Sequence, residues 1–167
     1  TVTYRCGQRI VHEAQEYVPD FQAAPTAHEG IVRDGDKIEM MKSASPGDFI
    51  LSRTNAPLVE IAMSFMRAGI KCKIEGRDIG KGLQSLIKKM RASTIPDLIS
   101  KISAWRKREC KRAESLDKKS AIENRKQFVN DQADCIIDFT DGAKSVTELL
   151  KLIENLFADE THASNIV

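Results

Sequence analysis

The sequence has no long hydrophobic run and no paired cysteines, and each absence narrows the class of protein. No apolar stretch approaches the ~18–20 residues that a membrane-spanning helix requires, and the first residues of the sequence do not show the pattern of a signal peptide. The four cysteines are far apart without a Cys-x-x-Cys pair, and the three histidines are equally scattered, so no zinc-binding spacing exists. These absences predict a cytoplasmic protein with reduced thiols, no membrane segment and no metal site.

Length and charge set only broad limits. A chain of 167 residues is long enough for one domain with a buried core, and 41% hydrophobic with 30% charged residues is typical of a globular protein. The net charge of +2 is too small to identify a partner by itself. Because the chain begins with Thr1, we expect a trimmed or excised piece of a longer protein.

A convincing cradle for a nucleoside triphosphate is also missing. The segment Gly76–Gly82 resembles a phosphate loop, but it has one residue too few between its glycines. Gly82 also stands where a magnesium-binding hydroxyl would be needed. We therefore expect a glycine-rich turn between a strand and a helix, and no carboxylate pair of Walker-B type follows any expected strand.

Residues 1–80 alternate short apolar runs with one-sided helices, which predicts α/β architecture. The expected strands are Val2–Tyr4, Gly30–Arg33, Phe49–Leu51 and Ile70–Ile74. The expected helices run from Gly7 to about Val18 and from a cap at Asn55 to Gly69. Two parallel strands joined by a helix form a right-handed crossover. Open sheets built from such units bind ligands at the carboxyl ends of their strands.

Residues 81–143 carry helical periodicity with no strand signal between the helices. Trp105 lies on the apolar stripe of one of them and is expected to be a core anchor rather than a base-stacking platform. Ser145 and Glu148 form a capping box that begins a final helix ending near Phe157. The residues Asn165–Val167 resemble the start of another buried strand.

Two arginines and one basic run are the candidate binding groups. Arg5 and Arg53 each follow an expected strand and precede a helix, where two guanidinium groups would bind phosphate; a structural ion pair is the alternative for each. The run from Arg106 to Lys119 holds seven basic residues among three acidic ones. Such a run either follows nucleic-acid phosphates or forms a solvated helix face with its own ion pairs.

The residues Thr3-Tyr4-Arg5-Cys6, followed by Ile10, resemble motif IV of the UvrD/Rep-like superfamily 1 DNA helicases, usually written Asn-Tyr-Arg-Ser. The resemblance implies that Tyr4 stacks on the adenine of ATP. It also implies that Arg5 is the catalytic residue of this chain, because it reaches the γ-phosphate and senses hydrolysis. Thr3 and Cys6 depart from the usual pattern.

The residues Arg53-Thr54-Asn55, followed by a helix and by Gly69–Gly76, resemble a second strand-end motif of the same family, which lies along single-stranded DNA. The resemblance implies that Arg53 contacts the DNA backbone, with Thr54 or Asn55 assisting. Asn55 has the alternative role of helix cap.

This resemblance implies the second RecA-like domain of an ATP-dependent DNA helicase, with a P-loop NTPase-type parallel sheet and flanking helices. Residues 1–80 and 144–167 would form that domain, truncated before motif V, and residues 81–143 a small all-helical insertion. ATP and its Mg²⁺ would be held mainly by a first RecA-like domain that this chain lacks. The chain alone would then have no ATPase activity.

Two other functions are compatible with the sequence. The chain could be a stand-alone nucleic-acid-binding module with the same fold and no motor activity, or a protein-interaction module. In any of these cases a truncated sheet would expose an edge, so a dimer through that edge is possible.

Overall fold

The computed structural model describes residues 1–157, apart from the side chain of residue 77. The chain divides into two units, residues 1–42 and a second unit that begins at residue 43. The predicted strand Asn165–Val167 and the last part of the predicted 144–167 segment lie outside the described residues.

The first unit consists of a short strand, a helix and a second strand, followed by another helix. These are β1 (Val2–Thr3), α1 (Gln8–Ala14), β2 (Gln22–Ala23) and α2 (Lys37–Ser43). The two strands are parallel, with Val2 opposite Gln22 and Thr3 opposite Ala23. Val11 of α1 and Ala24 after β2 are buried, so the helix covers the pair of strands through a small apolar contact.

The regular elements in the described part of the second unit are all helices, joined by loops. The unit contains α3 (Ala56–Arg67), α4 (Arg77–Met90), α5 (Ile95–Ala113), α6 (Lys119–Thr140) and α7 (Val146–Leu156). Helix α6 contacts each of the other four helices. The core residues with no exposed surface are Val59, Leu83, Leu98, Ile102, Val129, Ala133, Ile136, Phe139, Leu149 and Ile153.

Local signals account for the ends of several helices. The Thr94 hydroxyl accepts a hydrogen bond from the Asp97 amide at 3.3 Å at the start of α5. At the start of α7 the Ser145 hydroxyl accepts from the Glu148 amide at 3.2 Å, and the Glu148 carboxylate accepts from the Lys144 amide at 2.9 Å. The predicted cap at Ser145 is therefore confirmed, whereas Glu148 bonds the amide of Lys144 rather than that of Ser145, so the reciprocal half of the capping box is shifted by one residue. Gly69 follows α3 with φ +75°, a conformation that favours glycine.

The predicted RecA-like parallel sheet with flanking helices is wrong. The structure is 58% helical, and among the described residues its only sheet is the two-stranded β1–β2 pair. The segments 30–33, 49–51 and 70–74 are not strands, and Leu51 is 89% exposed. Parallel strands are stable only when neighbouring strands and helices cover them, and no described residue supplies the backbone partners of residues 49–53.

The helices between residues 77 and 156 were predicted correctly in type and approximate position, and Trp105 is buried as predicted. In the part of the chain that the structure describes, no helix is long and apolar enough to cross a membrane.

Gly80 lies inside α4 where the end of α7 approaches it most closely. A Cβ atom at Gly80 would lie 2.7 Å from the Cβ of Phe157 and 2.8 Å from its Cγ. We expect Gly80→Ala to lower the free energy of unfolding by about 1 to 3 kcal/mol, as overpacking does in other cores. Urea denaturation followed by circular dichroism measures this change.

Gly82 provides a matched control on the same helix. A Cβ there meets only the Gln132 side chain, at 3.8 Å, so Gly82→Ala should be neutral or stabilise by up to about 1 kcal/mol through helix propensity. Equal stability of the two variants would contradict the packing role of Gly80.

Candidate functional site

Tyr4 and Arg5 lie in the bend between β1 and α1. The Thr3 hydroxyl accepts hydrogen bonds from the amides of Arg5 at 3.3 Å and Cys6 at 3.5 Å, which bends the chain directly after the strand. The Tyr4 side chain is 86% exposed and Arg5 is also exposed. Within residues 1–157 neither side chain forms a hydrogen bond or an ion pair. An exposed aromatic ring therefore lies next to an unpaired guanidinium group.

Arg53, Thr54 and Asn55 form the turn that leads into α3. The Asp131 carboxylate, on α6, accepts three hydrogen bonds from this turn, each at 2.8 Å. The donors are the Asn55 amide, the Asn55 side-chain Nδ2 and the Ala56 amide. Asp131 thus satisfies the free N–H groups at the start of α3 from another helix.

Asn55 is the N-cap residue of α3, as predicted, but its side chain makes no capping hydrogen bond. Its Nδ2 atom is instead bound to Asp131. Arg53, two residues earlier, is exposed, and no described residue pairs with it. The turn is therefore anchored at Asn55 and presents a free cation at Arg53.

Two grooves border this turn. An apolar groove of about 290 Å³ is lined by Phe49, Leu51, Leu58, Ile61 and Phe65. A wider groove of about 560 Å³ lies between the start of α3 and α6, and it is lined by Thr54, Lys126, Asn130 and the three carboxylates of Glu123, Asp131 and Asp134. Because its lining holds one cation against three carboxylates, this groove carries negative charge, and Thr54 lies at its edge.

The structure does not place all predicted site residues in one unit. Tyr4 and Arg5 belong to the first unit, whereas Arg53, Thr54 and Asn55 belong to the second. A phosphate site shared by Arg5 and Arg53 therefore stays a prediction.

The segment Gly76–Gly82 is largely part of a helix. Gly76 has φ +123° and directly precedes α4, whereas Gly80 and Gly82 lie within that helix. A phosphate loop instead needs free backbone N–H groups arranged around an anion. The expected turn between a strand and a helix is thus confined to Gly76, because residues 77–82 belong to α4 and no strand directly precedes them.

The thiols are poorly suited to nucleophilic chemistry. All four cysteines are free, and Cys135 is almost fully buried on α6. Burial, followed by the nearby carboxylates of Asp131, Asp138 and Asp134, raises the pKa of the Cys135 thiol strongly. Burial also raises the pKa of Cys72. Among the described residues, no three His, Cys, Asp or Glu side chains are grouped so as to hold a metal ion.

Asp131 is the residue that sequence analysis missed. It lies 76 positions from its partner Asn55, and no local pattern connects an acidic residue on one helix with the start of another. Its role follows only from the packing of α3 against α6.

Comparison of the chain with protein-family models, with curated proteins and with solved structures finds no match. The function of Tyr4, Arg5 and the Arg53 turn must therefore be argued from the chemistry of those residues.

Replacing Asp131 tests the anchoring of the turn. We expect Asp131→Ala to lower the free energy of unfolding by about 1 to 3 kcal/mol, because three donors at the start of α3 lose their acceptor. Hydrogen exchange at the Ala56 amide should accelerate more than exchange in the middle of α6. Gln127→Ala, an exposed change on the same helix, is the control; if both variants behaved alike, Asp131 would have no capping role.

The burial of Cys135 predicts a specific pH dependence. Folding raises the pKa of the Cys135 thiol above its ordinary value of 9.0, so the folded state favours the neutral thiol. The contribution of this neutral thiol to the free energy of unfolding is complete below pH 9. It is lost as the pH rises above 9, because the thiol then ionises in the unfolded state. At pH 10 this loss is on the order of 1 kcal/mol. Urea denaturation at pH 8 and pH 10 should show a smaller loss for Cys135→Ala than for the wild type. An identical loss in both proteins would contradict the assignment.

Proposed function

We propose that this chain is part of an ATP-dependent DNA helicase or translocase of the UvrD/Rep kind. In this proposal Tyr4 and Arg5 contribute one wall of the nucleotide site, and the Arg53 turn contacts single-stranded DNA. The observation that carries the proposal is the pair of exposed side chains directly after β1, an aromatic ring and a guanidinium group without a partner in the described residues.

The chemistry of this pair suits a nucleotide. An exposed aromatic ring can bind a purine by stacking. Tyr4 is 86% exposed, so its ring is available for such a contact. An arginine without an ion pair is a planar cation that can stabilise the charge developing on a transferred phosphoryl group. The bend held by Thr3 keeps both side chains outside the β1–α1–β2 contact.

The chain would supply only part of such a site. The segment 76–82 lacks the geometry of a phosphate loop, and no described group of side chains is arranged for Mg²⁺. The triphosphate and its metal ion would therefore be held by a P-loop domain elsewhere in the enzyme. Arg5 would reach the γ-phosphate across the cleft between the two domains.

The Arg53 turn supports the second half of the proposal. Nucleic-acid backbones are recognised by cations and by polar groups held in fixed positions. Arg53 is exposed without a described partner, and its turn is fixed by the three hydrogen bonds to Asp131. Thr54, the next residue in the turn, adds a hydroxyl.

The proposal is tested with Arg5→Ala in the longer protein that joins this chain to a P-loop domain. We expect DNA-stimulated ATP hydrolysis to fall by about 10³-fold or more, the range typical of an arginine that stabilises the phosphoryl group. Tyr4→Ala should instead raise the KM for ATP and leave kcat less affected, because stacking is lost in ground and transition state alike.

Arg9→Ala is the matched control, since Arg9 is also exposed on the first unit but is paired with Glu29. Full hydrolysis by Arg5→Ala would overturn the catalytic assignment. ATP turnover by the purified 167-residue chain would contradict the proposal that the chain holds only one wall of the site.

A further inference from the structure

Positive charge is concentrated in one part of this nearly neutral chain. Residues 77–113, which span α4 and α5, contain eleven Lys and Arg against three Asp and Glu, a net charge of +8 in a chain of net charge +2. The remaining residues therefore carry a net charge of −6. Such separation produces a local positive potential that attracts anions.

The exposed side of α5 carries part of this charge, and of its three cations only Lys111 is close enough to a described carboxylate to help lower its pKa, that of Glu114. Leu98, Ile102 and Trp105 bury one side of the helix. Lys107, Arg108 and Lys111 lie on the other side and are all exposed. Their spacings of three and four residues place them on one helix face, and none of them forms an ion pair with another described residue.

An exposed aromatic ring lies beside a second group of cations between α5 and α6. Glu109, whose side chain is only 15% exposed, pairs with both Arg112 at 2.9 Å and Arg125 at 3.2 Å. The guanidinium carbon of Arg125 lies 5.6 Å from the centre of the Phe128 ring, and Phe128 is 51% exposed. One carboxylate thus serves two arginines, which leaves a net positive charge next to the ring.

The opposite flank of the same two helices is neutralised. Arg106 pairs with Asp134, and Lys126 pairs with Glu114 at 2.8 Å. The hydrogen bond from Lys126 also holds the pKa of Glu114 below its usual range. The two sides of the hairpin therefore differ: one contains balanced ion pairs, and the other an excess of cations beside Phe128.

We propose that Lys107, Arg108, Lys111, Arg125 and Phe128, which we call the basic face, form a binding site for single-stranded nucleic acid. The three unpaired cations of α5 contact backbone phosphates, and Phe128, with Arg125 beside it, offers a ring for stacking of an unpaired base. Proteins that bind single strands without sequence preference combine these two features, a positive surface and exposed aromatic side chains.

The surroundings of the basic face favour this ligand over an anionic membrane. A helix that binds a lipid surface inserts its own apolar side into the headgroup region, whereas the apolar side of α5 is buried in the core. A single exposed ring such as Phe128 suits stacking on a base better than insertion into a membrane. The proposal is independent of Arg5 and Arg53, since it uses neither residue.

The test measures binding of a fluorescein-labelled oligothymidylate to the whole chain by anisotropy at several salt concentrations. The triple variant Lys107→Gln, Arg108→Gln, Lys111→Gln should bind more weakly. The slope of log K against log salt should become less steep by about 2, because each lost phosphate contact on a single strand contributes about 0.7. The matched control replaces three other exposed lysines of the second unit, Lys71, Lys144 and Lys151, by Gln.

Phe128→Ala tests the stacking contact separately from charge. Loss of one stacked base should weaken oligothymidylate binding by about fivefold or more, with no change in binding to inorganic polyphosphate, which has no bases. Phe128→Leu should weaken it similarly, because a leucine keeps apolar area but has no aromatic ring. Circular dichroism confirms that each variant retains the helical content of the wild type.

Three results would overturn the proposal. The first is equal binding of oligothymidylate by the triple variant and by its matched control, because binding would then depend only on the overall charge of the chain. The second is an equal loss of polyphosphate and oligothymidylate binding in Phe128→Ala. The third is tighter binding of the chain to vesicles of anionic phospholipid, or to an acidic polypeptide, than to the oligonucleotide.

Arg53→Gln, measured in the same assay, separates this proposal from the function proposed above. If Arg53→Gln leaves binding unchanged while the triple variant weakens it, the Arg53 contact is wrong and the basic face stands. The reverse result removes the basic face and leaves the Arg53 turn.

Discussion

The buried side of α6 is the constraint on which the second unit depends. Val129, Ala133, Ile136 and Phe139 have no exposed surface, and they follow the spacing of a single helix face. Each of α3, α4, α5 and α7 contacts this helix. Because core side chains interlock closely, the position of α6 determines how the other helices of the unit are arranged.

The same helix determines the geometry of the candidate site through its polar side. Asp131 lies on α6 only two residues from the buried Val129 and Ala133, and it bonds the start of α3 at Asn55 and Ala56. Further towards the start of α6, Arg125 meets Glu109 of α5 beside Phe128. The packing of apolar surface thus holds both groups of polar residues in place, so that the Arg53 turn and the basic face derive their rigidity from one core.

The elements that were predicted correctly depend on interactions within a few residues. The cap at Ser145 and the left-handed Gly69 each act within a single turn of chain, and helical periodicity repeats every 3.6 residues. The strand predicted at Val2–Tyr4 is present as β1, but those predicted at residues 30–33, 49–51 and 70–74 failed, because a short apolar run such as residues 49–51 does not specify its neighbours. A parallel strand requires partners distant in sequence, and the described residues do not supply them for this run.

The sequence by itself determined the type and approximate position of the longer helices, the burial of Trp105 and the chemical character of Tyr4, Arg5 and Arg53. These properties follow from local spacing and side-chain type. Only the tertiary structure decided which charges are neutralised and which are free. Asp131 reaches a residue 76 positions away, and Glu109 reaches Arg125 across the α5–α6 hairpin. Such pairs depend on the distance between helices that pack together, and that distance is a property of the folded core rather than of any segment of the chain.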